Sequence, residues 1–113
     1  MHPARQTIAS ARRVVVKVGT AVVSRPEGGV ALGRLGHLVE TLAALRADGR
    51  EVVLVSSGAV GLGVAKLGLP RRPKGVVDQQ ACAAVGQGEL MALYDTFFGR
   101  VGLSPAQVLL TEH

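Results

Sequence analysis

Tryptophan is absent from this 113-residue chain, and one tyrosine and two phenylalanines are all its aromatic residues. A core must therefore be built from Val, Leu and Ala, and no row of rings exists on which nucleic-acid bases could stack. One cysteine excludes an internal disulfide and a four-cysteine zinc site. Cys82, set in QQACAAVGQ, reads as a small buried hydrophobe rather than a nucleophile. No apolar run reaches the roughly 18–20 residues that a bilayer-crossing helix needs. Acids are sparse and scattered: Glu27, Glu40, Asp48, Glu51, Asp78, Glu89, Asp95 and Glu112. Apart from Glu112, which would follow a third strand, none stands at the end of a predicted strand, so no carboxylate pair for acid–base work or for metal binding emerges. His2, His37 and His113 are far apart and read as surface histidines.

The shortage of acids leaves a net charge of +5. Nucleic acid is the first partner such a charge brings to mind. The basic residues argue against it, because Arg12, Arg13, Arg71, Arg72 and Lys74 form two short clusters, near a terminus and in a loop, and no helix carries a basic face. Solvated surface charge that attracts small anions is the simpler reading. Residues 1–11 are expected as a disordered segment ahead of the first strand. The first 13 residues carry Arg and Ser and no acid, which leaves a transit peptide open, but a ragged start to a cytoplasmic protein is simpler.

What the chain has in plenty is valine, leucine and glycine, in a regular order. Val14–Val18 is a short apolar run rich in β-branched residues, the pattern of a buried strand. SRPEGG, 24–29, is a loop. Leu32, Leu35, Leu38, Val39, Leu42 and Leu45 recur at three- and four-residue steps and predict a helix over 31–48, with Gly49 placed for a left-handed cap. EVVLVSS predicts a second strand, and a helix from Gly58 to about Leu67 follows. Two helices are expected over 76–85 and 89–98, broken or kinked at Gly86-Gln87-Gly88, and then a third strand over 107–110. Strands without polar alternation, separated by helices, predict a parallel sheet covered on both faces. In such sheets ligands bind beyond the carboxyl ends of the strands.

Two stretches fall at those ends: KVGT, 17–20, and SSGAVG, 56–61. A lysine in an apolar strand is costly unless an anion meets it or its stem carries the charge to water. Alternation puts Val14, Val16 and Val18 on one face and Val15 and Lys17 on the other. A fixed ammonium there would neutralise charge on a phosphoryl group in transfer, Gly19 would admit the backbone to the same phosphates, and Thr20 could add a hydroxyl or cap a turn. At the second stretch a helix starts amid small residues, whose N–H groups would receive a carboxylate or phosphate. Ser57 could serve that ligand or simply cap the helix. The P-loop pattern is absent. Gly61-Leu62-Gly63 begins a dinucleotide fingerprint, but Lys66 stands where the third glycine belongs and Asp78 falls in a predicted helix.

VVVKVGTAVV, ALGRLGHLVETLAAL, VVLVSSGAVGLG, QQACAAVGQGELMALYDTFF and AQVLLTEH resemble, in order, consecutive blocks of the glutamate 5-kinase family. They are also similar to the kinase half of plant-type pyrroline-carboxylate synthases, and the wider group is the amino acid kinases. The resemblance implies a three-layer αβα sandwich with a mainly parallel sheet, of which residues 12–113 would be the N-terminal part. It implies in-line transfer from ATP, escorted by Mg²⁺, to the γ-carboxylate of L-glutamate at the first step of proline synthesis. Lys17, Gly19 and Thr20 would face the ATP phosphates, with Lys17 steadying the transferring group. Ser57, Gly58 and Ala59 would bind glutamate, and the protein residues would include no metal ligand. The family's glutamate-binding aspartate and asparagine, its nucleotide loops and a second lysine come later in its chains, so this segment alone is expected to be inactive. A homo-oligomeric, cytoplasmic enzyme with no membrane or nucleic-acid partner is expected. A sister amino acid kinase acting on acetylglutamate or aspartate, and a non-catalytic interaction fragment, are the competing readings.

Overall fold

The computed structural model describes residues 3–108. Its elements run α1 (Pro3–Ser10), β1 (Arg13–Val18), α2 (Thr20–Val23), α3 (Leu32–Ala47), β2 (Glu51–Ser56), α4 (Ala59–Leu67) and α5 (Val76–Arg100). β1 and β2 form a parallel two-stranded sheet in which Arg13 faces Glu51 and Val18 faces Ser56. The fold is therefore mixed α/β with parallel pairing, as the sequence pattern predicts.

Helix α3 forms because its leucines share one face. Leu35, Val39 and Leu42 are buried, whereas Leu32, at the start of the stripe, is exposed. The helix ends where Gly49 takes φ +87°: its N–H donates to the Arg46 carbonyl, and the Arg50 N–H reaches back to the Leu45 carbonyl. That left-handed turn satisfies carbonyls that a helix end would otherwise leave open. The stripe packs on the face of the sheet that carries Val16, Val52 and Leu54, and the core is completed by Val23, Leu62, Leu90, Tyr94 and Phe98. Full burial of a leucine such as Leu35 contributes about 2 kcal/mol.

Three expectations change. Residues 3–10, read as a disordered start, form helix α1, which buries none of its residues. Its last carbonyls, of Ile8 and Ala9, accept hydrogen bonds from the Arg50 guanidinium, a cation placed at the negative end of the helix. The break at Gly86–Gly88 does not occur, because α5 runs through it for 25 residues. Its buried positions are Cys82, Gly86, Leu90, Tyr94 and Phe98, one stripe with a four-residue step, and two of its glycines are helical for different reasons. A Cβ on Gly86 would fall on the carbonyl of Ala59 and the amide of Gly63, and one on Gly63 would fall on the carbonyl of Cys82. Helices α4 and α5 thus touch backbone to backbone, and the glycines permit contact rather than breakage. Gly88 lies on the exposed side with open space around it.

Finally, the sheet is covered on one face only among the described residues. Val15, Lys17, Val53 and Val55 project from the other, and the three valines are 62%, 45% and 39% exposed. The described helices that meet the sheet supply one of the two helical layers of the expected sandwich. Gln107 and Val108, the start of the expected third strand, are irregular, and the rest of that strand, with Glu112, lies outside the described residues. No described helix is long and apolar enough to cross a membrane.

Candidate functional site

The two strands end level. Val18 is opposite Ser56, and the Ser57 N–H donates to the Val18 carbonyl at 3.1 Å, so the parallel ladder continues to the first residue of the turn. From there the chains part. β1 passes through Gly19 into α2, and β2 passes through Ser57-Gly58 into α4. Gly58 is buried at φ +115°, and a Cβ there would lie 3.2 Å from that of Val23. A side chain at this position would be strained in its backbone and crowded by α2, so the turn can close only around a glycine.

Ser57 does not cap the helix. The N-cap position is Gly58, with no side-chain cap hydrogen bond, and the Ser57 side chain is exposed. The first intrahelical bond runs from the Leu62 N–H to the Gly58 carbonyl at 3.1 Å, so the N–H groups of Ala59, Val60 and Gly61 precede it. They open onto a cavity of about 300 Å³ lined by Thr20, Ser56, Ser57, Gly58, Ala59, Val60, Gly61 and Arg72. The first residues of α4, its positive end, and Arg72 line this space, and no acid does. A neighbouring hollow of about 270 Å³ lies between loops 24–29 and 69–72 and shares Gly61 and Arg72 with it. No group of three His, Cys, Asp or Glu residues suited to a metal ion occurs among the described residues.

The structure thus brings Thr20, Ser57, Gly58 and Ala59 together and leaves Lys17 and Gly19 off the lining. Lys17 is exposed on the uncovered face, opposite Val55. Ser57 comes two residues after Val55, one residue past the end of β2. Gly19 sits at φ −84° with nothing within 4 Å of a built Cβ, so neither backbone strain nor packing requires a glycine there.

Arg72 and Tyr94 were not legible as site residues. Arg72 belongs to a loop whose only local signal is surface charge, and the fold alone sets it beside α4. Tyr94 is the chain's single tyrosine, buried at 4% exposure. Its hydroxyl meets the Ser56 hydroxyl at 2.6 Å, and the Ser56 hydroxyl donates to the Ser57 carbonyl at 3.1 Å. Burial raises the Tyr94 pKa above its ordinary value, with the Ser56 hydrogen bond acting the other way. A buried phenol requires a partner, and the rarity of tyrosine was the one sequence signal that could have singled this residue out.

Residues 12–113 match the amino acid kinase family. The glutamate 5-kinase of Streptomyces coelicolor is 51% identical over 112 residues, an alignment covering 99% of this chain and 30% of that protein. The glutamate 5-kinase of Symbiobacterium thermophilum is 49% identical over 108 residues, covering 96% and 41%. The delta-1-pyrroline-5-carboxylate synthase of Mesembryanthemum crystallinum is 48% identical over 123 residues, covering 100% and 17%. The chain spans less than half the length of each of these relatives. Since the family match takes in both strand tips, the glycine turn and the cavity they enclose, this chain belongs to the amino acid kinase family.

Proposed function

We propose that this chain is the phosphate-facing and glutamate-binding part of a longer enzyme that phosphorylates the γ-carboxylate of L-glutamate at the expense of ATP, the first step of proline biosynthesis. What supports the reading is the level ending of β1 and β2, which brings Thr20 and the start of α4, free of a side-chain cap, to one acid-free cavity, with Lys17 exposed one residue before the end of β1. The names of the similar proteins supply the acceptor.

In this reading a γ-carboxylate oxygen of glutamate attacks the γ-phosphorus of ATP, the bond to the β,γ-bridging oxygen breaks, and ADP leaves with that electron pair. The N–H groups at the start of α4, with Gly58 and Ala59, hold the amino acid, and the Ser57 hydroxyl orients it. Lys17 acts from the end of β1, its flexible stem carrying the ammonium past the strand tip to the moving phosphoryl group. Gly19 leaves room for phosphate oxygens, and the Thr20 hydroxyl faces them. Mg²⁺, as the companion of ATP phosphates, offsets their charge. The cavity offers it no carboxylate, so the lining fits the anionic ends of substrates rather than the metal.

The 113-residue chain by itself is expected to be inactive. A cytoplasmic, self-associating enzyme without nucleic-acid partners goes with this reading. The test is coupled ADP release by the full-length protein that carries this chain, offered glutamate, aspartate and acetylglutamate in turn. Glutamate should be turned over best. A marked preference for acetylglutamate or aspartate would assign a sister activity, and no turnover of any of them would end the proposal.

A further inference from the structure

The glutamate-binding turn is held from behind by α5, and the hold is chemically specific. Each hydroxyl in the Tyr94–Ser56–Ser57 chain has one proton to give. The Ser56 hydroxyl spends its proton on the Ser57 carbonyl at 3.1 Å. In the 2.6 Å contact between Ser56 and Tyr94 either hydroxyl could donate, and with the Ser56 proton on the Ser57 carbonyl the donor is Tyr94. The order of donation is therefore Tyr94 to Ser56 to the Ser57 carbonyl, running from the core outward. The peptide that follows is trans, as no cis bond occurs among the described residues. In a trans peptide the carbonyl and the next N–H point in opposite directions. Fixing the Ser57 carbonyl on Ser56 thus fixes the Gly58 N–H pointing away from Ser56. Gly58 sits at φ +115° and could otherwise let this peptide rotate, because glycine tolerates both signs of φ.

We propose that Tyr94 is a positioning residue of the glutamate site: through Ser56 it sets the Ser57-Gly58 peptide so that the Gly58 N–H is a fixed donor to a bound carboxylate. The inference rests on the glutamate reading above and adds a residue one hydrogen bond behind the cavity lining. Tyr94 itself does not line the cavity, whereas Ser56, Ser57 and Gly58 all do. Burial keeps its phenol protonated at neutral pH, as a donor must be. A second contact from the same helix acts on the same turn, since Gly86 lies against the carbonyl of Ala59. The phenol ring also stacks on Phe98, with centroids 5.9 Å apart, so Tyr94→Phe keeps the packing and removes only the hydroxyl.

The experiment is a double-mutant cycle on the full-length protein with Tyr94→Phe, Ser56→Ala and both together. Each single change should raise KM for glutamate about tenfold, the scale of one hydrogen bond, with KM for ATP unchanged and kcat within about threefold of the parent. The double variant should be no worse than the poorer single one. Additive effects, an unchanged glutamate KM, or a proportional fall in all parameters would overturn the relay. A second readout needs no turnover: the carbonyl-carbon resonance of Ser57 should move in Tyr94→Phe, and an unmoved resonance overturns the relay. If the parent protein does not turn over glutamate, the proposed function fails, and the Ser57 resonance still decides the relay on its own.

Discussion

Gly86 and Gly88 lie two residues apart in one helix, and the same substitution should have opposite effects on them. Glycine inside a helix costs about 0.5–1 kcal/mol relative to alanine, because it gives up more backbone freedom on folding. At Gly88 that is the whole account, since nothing stands within 4 Å of an added Cβ. Gly88→Ala should stabilise the protein by about 0.5–1 kcal/mol. At Gly86 the methyl would occupy the place of the Ala59 carbonyl and the Gly63 amide, which are backbone atoms with no rotamer through which to withdraw. The α4–α5 contact must open along its length, loosening the packing around Leu62 and Leu90. Overpacking of this kind costs about 1–3 kcal/mol and more where backbone must move. Because rigid backbone is what must move, the upper end of about 3 kcal/mol applies, and set against a gain of about 1 kcal/mol in helix propensity Gly86→Ala should lose about 2 kcal/mol net. Because Ala59 also lines the cavity, the loss should come with a raised KM for glutamate. Urea unfolding of the parent and both variants, followed by far-ultraviolet dichroism, gives the comparison, with m-values confirming that only stability has changed. If both variants gain stability, the helices do not touch through Gly86, and the account of α5 as one unbroken helix pressed onto α4 is refuted.

The remaining expectations concern the strand tips and their far ends. Lys17→Ala in the full-length protein should lower kcat by about 10²-fold or more with little change in stability, since the side chain is exposed; steady-state kinetics beside thermal unfolding checks both. Unchanged turnover would make Lys17 an ordinary surface lysine. Ser57→Ala should act mainly on KM for glutamate and leave helix α4 intact, because its hydroxyl caps nothing; a lost helix content by dichroism would contradict this. At the opposite end of the sheet, the Arg13 guanidinium bonds Glu51 at 2.8 Å and holds its carboxyl below the ordinary value of 4.5. A depressed pKa means that this contribution is present above the ordinary glutamate value and lost as pH falls through the folded one. Stability measured by denaturant between neutral and acid pH should therefore fall less in Glu51→Gln than in the parent below pH 4.5.

Local order was readable because it rests on near neighbours in the chain. The leucine steps of 32–45 defined α3, Gly49 defined its end, the valine runs defined both strands, and SSGA marked a strand giving way to a helix. Even the likeness to glutamate 5-kinases could be read from contiguous blocks. What stayed hidden was decided by groups that meet only when the chain folds. Gly86 carries no mark separating a helix breaker from a helix contact; that depends on the carbonyl of Ala59, which α4 brings against it. Ser57 has the residue type of a cap, yet the turn puts Gly58 at the N-cap and leaves the serine facing out. Arg72 reaches the cavity from a loop and Tyr94 reaches Ser56 from the far part of α5, and nothing near them in sequence says where they arrive. Sequence fixes backbone preference over a few residues. Which donor meets which acceptor across the gap between helices is settled by packing, and here that packing shapes the cavity.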